Sequence, residues 1–275
     1  MAWKARLTDR DWQDYYLHYF ADHLKKFSWD GVYYDCFGTD IFTENGETFH
    51  PVFACRKFQE RIYLTQRISN PASLTVTHTG GSQSGTAATY ADVILMGEQY
   101  RGVCSRYKYL LEHFTLDRFR YENAVNVGPD RMFLPQYHDA GKINDPTVAS
   151  SIMGLVMVHN LMLYPNFIRK DIELAVRGRM FDFGMETSSF HPYWKPQKNL
   201  PGTDSSVVVS SSWTNEKGIL TALLNPSGKP QRFKLRIPSG WRVKYYYDPA
   251  ESRELSGDSF ELKPYCSALI RLERE

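Results

Sequence analysis

The order of apolar and polar positions gives the chain two textures. Trp12, Tyr16, Tyr19, Leu24 and Phe27 recur near helical spacing, and Thr8 with Asp11 resembles a capping box, so a helix is expected as far as about Phe27. Gly31-Val32-Tyr33-Tyr34-Asp35 is a short β-branched and aromatic run that suits a buried parallel strand with Asp35 at its carboxyl end. A second helix is expected over 52–68, stopped by Asn70-Pro71. Leu74-Thr75-Val76-Thr77-His78 then reads as a strand tipped by His78 and followed by a glycine-rich loop at 79–85. Residues 92–98 form a third candidate strand with Glu98 at its end, a fourth falls between 123 and 134, and a long apolar helix covers 148–164.

Strands that alternate with helices imply parallel βαβ units and an α/β class. About four such strands precede residue 200, whereas a TIM barrel closes with about eight over about 250 residues, so the pattern predicts a partial TIM barrel. Half a barrel exposes parallel-sheet edges, which self-association or a missing N-terminal half-barrel would have to cover. From about Gly202 the texture changes. Val207-Val208-Val209, Gly218 to Leu224, the alternating Phe233-Lys234-Leu235-Arg236-Ile237, Val243 to Tyr247 and Phe260 to Leu272 predict antiparallel strands. Turn signals at Asn225-Pro226-Ser227-Gly228 and Pro238-Ser239-Gly240 separate them, and the sum is a small C-terminal β-sandwich. The proline-rich stretch from His191 to Gly202 reads as a linker, giving a partial (β/α) barrel over 1–200 and a sandwich over 201–275.

Composition narrows the partners. With 33 Lys+Arg against 31 Asp+Glu, the formal charge of +2 lacks the concentrated basic field of a nucleic-acid binder. No stretch approaches the roughly 20 apolar residues that span a bilayer, so no membrane partner is expected. Cys36, Cys55, Cys104 and Cys266 lie far apart without zinc-site spacing and read as free thiols. The Gly80-Gly81 loop lacks the GxxxxGK[ST] pattern of a phosphate cradle, and neither a cofactor nor a metal is expected.

In a parallel α/β barrel the active site gathers at the carboxyl ends of the strands, which singles out Asp35, His78 and Glu98. Glycoside hydrolysis needs two carboxyl groups, one to protonate the leaving oxygen and one to act as nucleophile or to activate water, and Asp35 with Glu98 supplies such a pair. His78 could hydrogen-bond a sugar hydroxyl, His138 stands in a candidate rim loop, and Tyr34, Tyr100 and Trp194 are candidate stacking platforms for a carbohydrate substrate. Asp92 opens its strand and should lie at the opposite end, in a structural role.

The run from Trp12 to Asp35 resembles the helix and strand that deliver an active-site Asp in TIM-barrel glycoside hydrolases, among them the alpha-galactosidase-like enzymes. Gly31 to Asp35, His78 to Gly80 and Gly97 to Gln99, in this order, are similar to segments of bacterial polysaccharide-degrading proteins related to the beta-N-acetylgalactosaminidases. Leu262 to Leu272 resembles the last strands of the sandwich that trails such barrels. The resemblance implies a carbohydrate-active hydrolase with Asp35 as nucleophile or base and Glu98 as acid. Two departures bear on mechanism: Glu98 stands where alpha-galactosidase-like enzymes use Asp, and Cys36 follows Asp35 where an Asp-Glu pair is the pattern of the other group. A non-catalytic carbohydrate-binding or scaffolding remnant is the rival reading. A metal-dependent hydrolase using His78, His138 and Asp35 lacks ligand spacing.

Overall fold

The computed structural model describes residues 8–35, 42–44, 46–78, 87–124, 128–195, 198–255, 257 and 259–275, so Cys36 and the loop at 79–85 lie outside the described residues. The chain forms two compact units, 1–99 with 126–132 and 100–125 with 133–275.

In the first unit the opening helix runs Arg10–Phe27 and is capped by Asp9, whose carboxylate accepts from Trp12 N at 3.0 Å, so Asp9 and not Thr8 is the cap. A short side-chain carboxylate is a strong acceptor for the free amides of a first turn. The second helix is Val52–Ser69. Strands Gly31–Tyr34, Leu74–His78, Val93–Met96 and Asp130–Phe133 are neighbours in that order, the first three in parallel register. Gly31 sits against the backbone of Leu74, where an added Cβ would lie 2.7 Å from the Leu74 carbonyl oxygen, so this pairing requires glycine. Val32 and Tyr34 pack with Phe20, Leu24, Phe58 and Ile62 of the two helices, which by alternation leaves Tyr33 on the opposite face. Three described cysteines, Cys55, Cys104 and Cys266, are free and buried.

In the second unit a six-stranded sheet runs Arg253–Leu255, Trp241–Asp248, Ser267–Arg274, Gly218–Leu224, Val209–Asn215 and Ser189–His191. A three-stranded sheet of Ser259–Leu262, Gln231–Arg236 and Gly202–Thr203 faces it across a core that includes Ile219, Leu223, Phe233, Phe260 and Ile270. Gly218–Leu224 is buried at every position because both of its faces are covered. Ile219 and Leu223 point to the small sheet, while Leu220, Ala222 and Leu224 point to a core built on the helix Pro146–His159. This helix stops five residues earlier than its apolar run suggests. Asn160 adopts a left-handed conformation at φ 53°, and its side-chain oxygen accepts from Trp213 Nε1 at 3.1 Å.

The helix reaches the sheet at Gly154 and Ser150. A Cβ at Gly154 would stand 2.7 Å from Ser267 Cβ and 2.8 Å from Leu224 Cδ1. Ser150 and Ser267 exchange buried hydrogen bonds, with Ser267 Oγ donating to Ser150 O at 2.6 Å and Ser267 N donating to Ser150 Oγ at 3.0 Å. The proline-rich stretch is therefore no boundary between separate bodies: His191 pairs with Ser212 and Gly202 with Arg236, both inside the second unit, and a helix from before residue 200 covers the sandwich. A division at residue 200 does not match how the chain packs.

Two measurements follow from this packing. Gly154→Ala should lower stability by about 1–3 kcal/mol, because overpacking a helix–sheet contact outweighs the gain of about 1 kcal/mol in helix propensity, read as a shift of the urea midpoint at unchanged slope. Burial pushes the His159 imidazole down to about pKa 4, against hydrogen bonds to Leu155 O and Tyr193 Oη and beside Arg120. Its neutral burial contributes fully above about pH 6.5, and the contribution is lost as pH falls towards 4, by at most about 3 kcal/mol. Urea unfolding of His159→Gln should show a flatter stability profile than wild type between pH 6.5 and 4. Asp145 answers in a lower window: burial opposes its ionisation, but Lys108 and Thr147 outweigh it and hold the carboxyl at about 2.

Candidate active site

The residues that the chain order separates by up to 63 positions meet at the carboxyl ends of three adjacent parallel strands in the first unit. Asp35 directly follows Gly31–Tyr34, His78 closes Leu74–His78, and Glu98 follows Val93–Met96 by way of Gly97. His78 Nδ1 lies 2.9 Å from Asp35 Oδ1, and Nε2 lies 3.2 Å from Glu98 Oε2. One imidazole thus stands between two carboxylates. The contact to Glu98 has ion-pair distance without hydrogen-bond geometry, so among the described residues the buried Nε2 has no hydrogen-bond partner, while the His78 side chain as a whole is only 7% exposed.

Tyr33 completes the cluster. Its hydroxyl donates to Asp35 Oδ1 at 3.2 Å and lies 3.0 Å from His78 Nδ1, so three polar atoms form a closed triangle. Nothing in the list of strand-terminal acids pointed to Tyr33, although two-residue periodicity did: Tyr33 and Asp35 fall on one side of the run, and Val32 and Tyr34 on the other.

The orientation of His78 is fixed from behind by a polar seam to the helix Val52–Ser69. Gln59 donates to Thr77 Oγ1 at 3.2 Å, Thr75 Oγ1 donates to Gln66 Oε1 at 3.1 Å, and Gln66 Nε2 donates to Leu74 O at 2.7 Å. With Thr75 and Thr77 held towards the helix, alternation turns Leu74, Val76 and His78 to the other face. Asp92 ties the far end of the strand, accepting from Thr75 N at 2.7 Å and from Arg67 at 2.6 Å. Buried polar groups satisfied in this way specify one register of helix against strand.

The remaining candidates lie elsewhere. Tyr34 turns to the helical layer, where burial pushes its hydroxyl far above the ordinary tyrosine range, so its ring is core of the first unit and not an open platform. Tyr100 is a core residue of the second unit, 6% exposed, with its ring edge-on to Phe114 at 4.9 Å and its hydroxyl donating to Glu122 at 2.7 Å. A stacking role needs an open ring face, which neither offers. Trp194, also in the second unit, has His159 stacked at 5.8 Å and the Arg120 guanidinium 5.0 Å from its ring centre, so the indole is already engaged. His138 is exposed, with Nε2 2.7 Å from Gln136 Oε1 and its ring 4.9 Å from Phe167. Its neighbours are structural: Tyr137 is buried and donates to Lys108 O, and Asp139 caps the short helix Ala140–Ile143. No group of three or more His, Cys, Asp or Glu side chains able to hold a metal is found among the described residues. No helix among them is long and apolar enough to cross a membrane.

No family model matches the chain, and no curated protein matches it by sequence. Solved structures do match in fold. The debranching enzyme of Nostoc punctiforme superposes with a TM-score of 0.54 at 12% identity, over 96% of this chain and 61% of that one. An alpha-amylase from Geobacillus thermoleovorans gives 0.53 at 10% identity, over 98% and 66%. A GH27 β-L-arabinopyranosidase from Geobacillus stearothermophilus gives 0.51 at 12% identity, over 98% and 63%. The chain spans just under two thirds of each of these proteins. Its fold is that of TIM-barrel glycoside hydrolases, an α/β partial TIM barrel followed by a C-terminal antiparallel β-sandwich.

Proposed function

We propose that the chain carries the carboxylate centre of a glycoside hydrolase acting on an oligo- or polysaccharide, with Asp35 as nucleophile or base and Glu98 as acid. The observation that supports it is the convergence of Asp35, His78 and Glu98 on one point at the carboxyl ends of neighbouring parallel strands, where this class of fold builds active sites. Both carboxylates are solvent-accessible, at 61% and 41% of their side-chain surface, as groups that must meet a substrate have to be.

The geometry suggests a division of labour. Tyr33 and His78 both address the same oxygen of Asp35, which fixes the carboxylate for attack on a sugar carbon or on water, and fixing a reacting group is itself a large part of catalysis. Glu98 lies across the ring and is free of that constraint. An acid that protonates a departing oxygen must give up its proton during the step and recover it afterwards, and an exposed side chain can exchange protons with solvent. The buried Nε2 of His78 faces Glu98 at 3.2 Å without hydrogen-bond geometry, so a small adjustment of the exposed Glu98 side chain would let the two groups share a substrate hydroxyl. The two carboxylates are separated by the width of an imidazole and a polar contact on each side.

Asp35→Asn and Glu98→Gln should each reduce hydrolysis of aryl glycosides and polysaccharides by about 10²–10⁴-fold while circular dichroism stays that of wild type. If neither folded variant loses activity against a substrate that wild type cleaves, the assignment fails. If wild type cleaves nothing but binds oligosaccharide, the binding-remnant reading takes its place.

A second part of the proposal concerns partners. Gly31–Tyr34 pairs on one side only among the described strands, and the strand face beside it leaves Tyr33 44% and Leu74 52% exposed. An open parallel edge is a template for further pairing. We expect self-association to cover it, or a preceding half-barrel in a longer protein. Light scattering after size exclusion should give a dimer or larger species for this chain, and a monomer that persists at high concentration would rule out self-association.

A further inference from the structure

A cleft of about 600 Å³ opens in the second unit, within the size range of small-molecule sites and made wholly of residues from that unit. Tyr193, Lys195 and Asn199 line one part of it, and Ser210, Arg236 and Ser239 another. Two of its lining residues are cationic and none is acidic. Among the described residues, neither Lys195 nor Arg236 has a carboxylate within 4.0 Å. Other arginines of the sandwich strands are engaged: Arg232 pairs with Glu261 at 2.7 Å, Arg242 with Glu273 at 2.8 Å and Arg253 with Glu251 at 2.8 Å, while Arg271 and Arg274 lie over the rings of Phe183 and Trp241; Arg236 has neither kind of partner among the described residues.

The cleft is built as well as charged. Arg236 lies opposite Gly202 in the ladder, and its guanidinium runs beside the bare Cα, where a Cβ would stand 3.4 Å from Nη2. Tyr193 is held at two points: its backbone amide donates to Ser211 Oγ at 3.0 Å, and its hydroxyl is 3.2 Å from His159 Nε2. A fixed aromatic wall, hydroxyls and uncompensated cations together suit a polar ring that carries an anion. A guanidinium offers a planar fork of donors to a carboxylate or a sulfate.

We propose that this cleft binds an acidic saccharide, with the anionic group, a carboxylate or a sulfate, held by Arg236 and Lys195 and the sugar ring bounded by Tyr193, Ser210 and Ser239. That the ligand is an anion rests on the charges of the cleft alone. That the anion is carried by a sugar rests on the glycosidase reading above.

Calorimetric titration of the full chain with oligogalacturonate, a chondroitin sulfate oligosaccharide, a malto-oligosaccharide of matched length, single-stranded DNA and inorganic sulfate tests this. At least one acidic oligosaccharide should bind about tenfold or more tightly than the neutral one, and the uronate and sulfate arms identify which anion is taken. Arg236→Ala should weaken that binding by about tenfold or more, Arg236→Lys less, Lys195→Ala to an intermediate degree, and added salt should weaken it throughout. Both side chains are on the surface, so unchanged thermal melts are expected of the three variants. Equal binding of neutral and acidic sugars, or no effect of Arg236→Ala, overturns the proposal. Sulfate bound as well as the acidic sugar, or DNA bound more tightly, overturns the saccharide assignment. Asp35→Asn should bind as wild type does, so undiminished hydrolysis by that variant with retained binding of the acidic sugar is a failure of the catalytic reading and not of this one.

Discussion

The parallel register between Gly31–Tyr34 and Leu74–His78 is the constraint on which the candidate site depends. The side-chain period of a strand is two, so a slip of one residue would exchange the faces of every position in the run. Tyr33 and Asp35 would then point to the helices, and Tyr34 would leave the core it shares with Phe20 and Phe58. Two features forbid the slip. Gly31 must face the Leu74 carbonyl, because any side chain there would collide with backbone that cannot move aside. Thr75 and Thr77 are bound to Gln66 and Gln59, so the strand cannot turn without stranding four buried polar side chains. The site is therefore a by-product of register. Once the strands align, Asp35, His78 and Glu98 arrive together without needing a dedicated loop to hold them.

The second unit shows the opposite logic, in which apolar burial decides and polar groups refine. The strand Gly218–Leu224 has a near-continuous apolar sequence because a sheet covers one of its faces and a helix the other. The Ser150–Ser267 exchange at the helix–sheet contact satisfies buried hydroxyls and backbone together, so the close approach allowed by Gly154 costs no unpaired polar group. Proline-rich residues between His191 and Gly202 are pinned at both ends into this same body. Composition could not reveal that, since proline marks an irregular backbone whether the segment joins two bodies or edges one.

The same distinction separates what was legible in the sequence from what was not. Short-range signals held: the helices around Trp12 and Ile62, the strands ending near Asp35, His78 and Met96, and the antiparallel strands after Gly202 each carry a local periodicity or a turn. The three strand-end polar residues were legible because a parallel sheet converts chain position into spatial position. Signals that depend on the third dimension did not survive. Tyr100 and Trp194 look like platforms as residue types, but a ring serves as a platform only if a face is open, and burial against Phe114 or stacking on His159 is set by residues tens of positions away. Tyr33 was missed for the converse reason. Its neighbour Tyr34 has the same side chain, and only the direction of the helical layer tells which of the two meets the histidine.

Fold similarity and site geometry also carry different weights. At 10–12% identity, superposition onto glycosidase structures speaks for the arrangement of strands and helices and leaves the chemistry to the side chains themselves. Those side chains present a histidine flanked by two acids, with one imidazole nitrogen engaged by Asp35 and Tyr33 and the other buried without a hydrogen bond. A purely structural histidine of such low exposure would be expected to satisfy both nitrogens, because leaving one dry costs about 1–3 kcal/mol. The strand face around it is open at Tyr33 and Leu74, so the cost is borne where a ligand could relieve it. The cluster thus sets a buried histidine, one of whose nitrogens meets Glu98 at ion-pair distance without hydrogen-bond geometry, between two accessible carboxylates, and it is this arrangement, not the fold similarity, on which the proposed function rests.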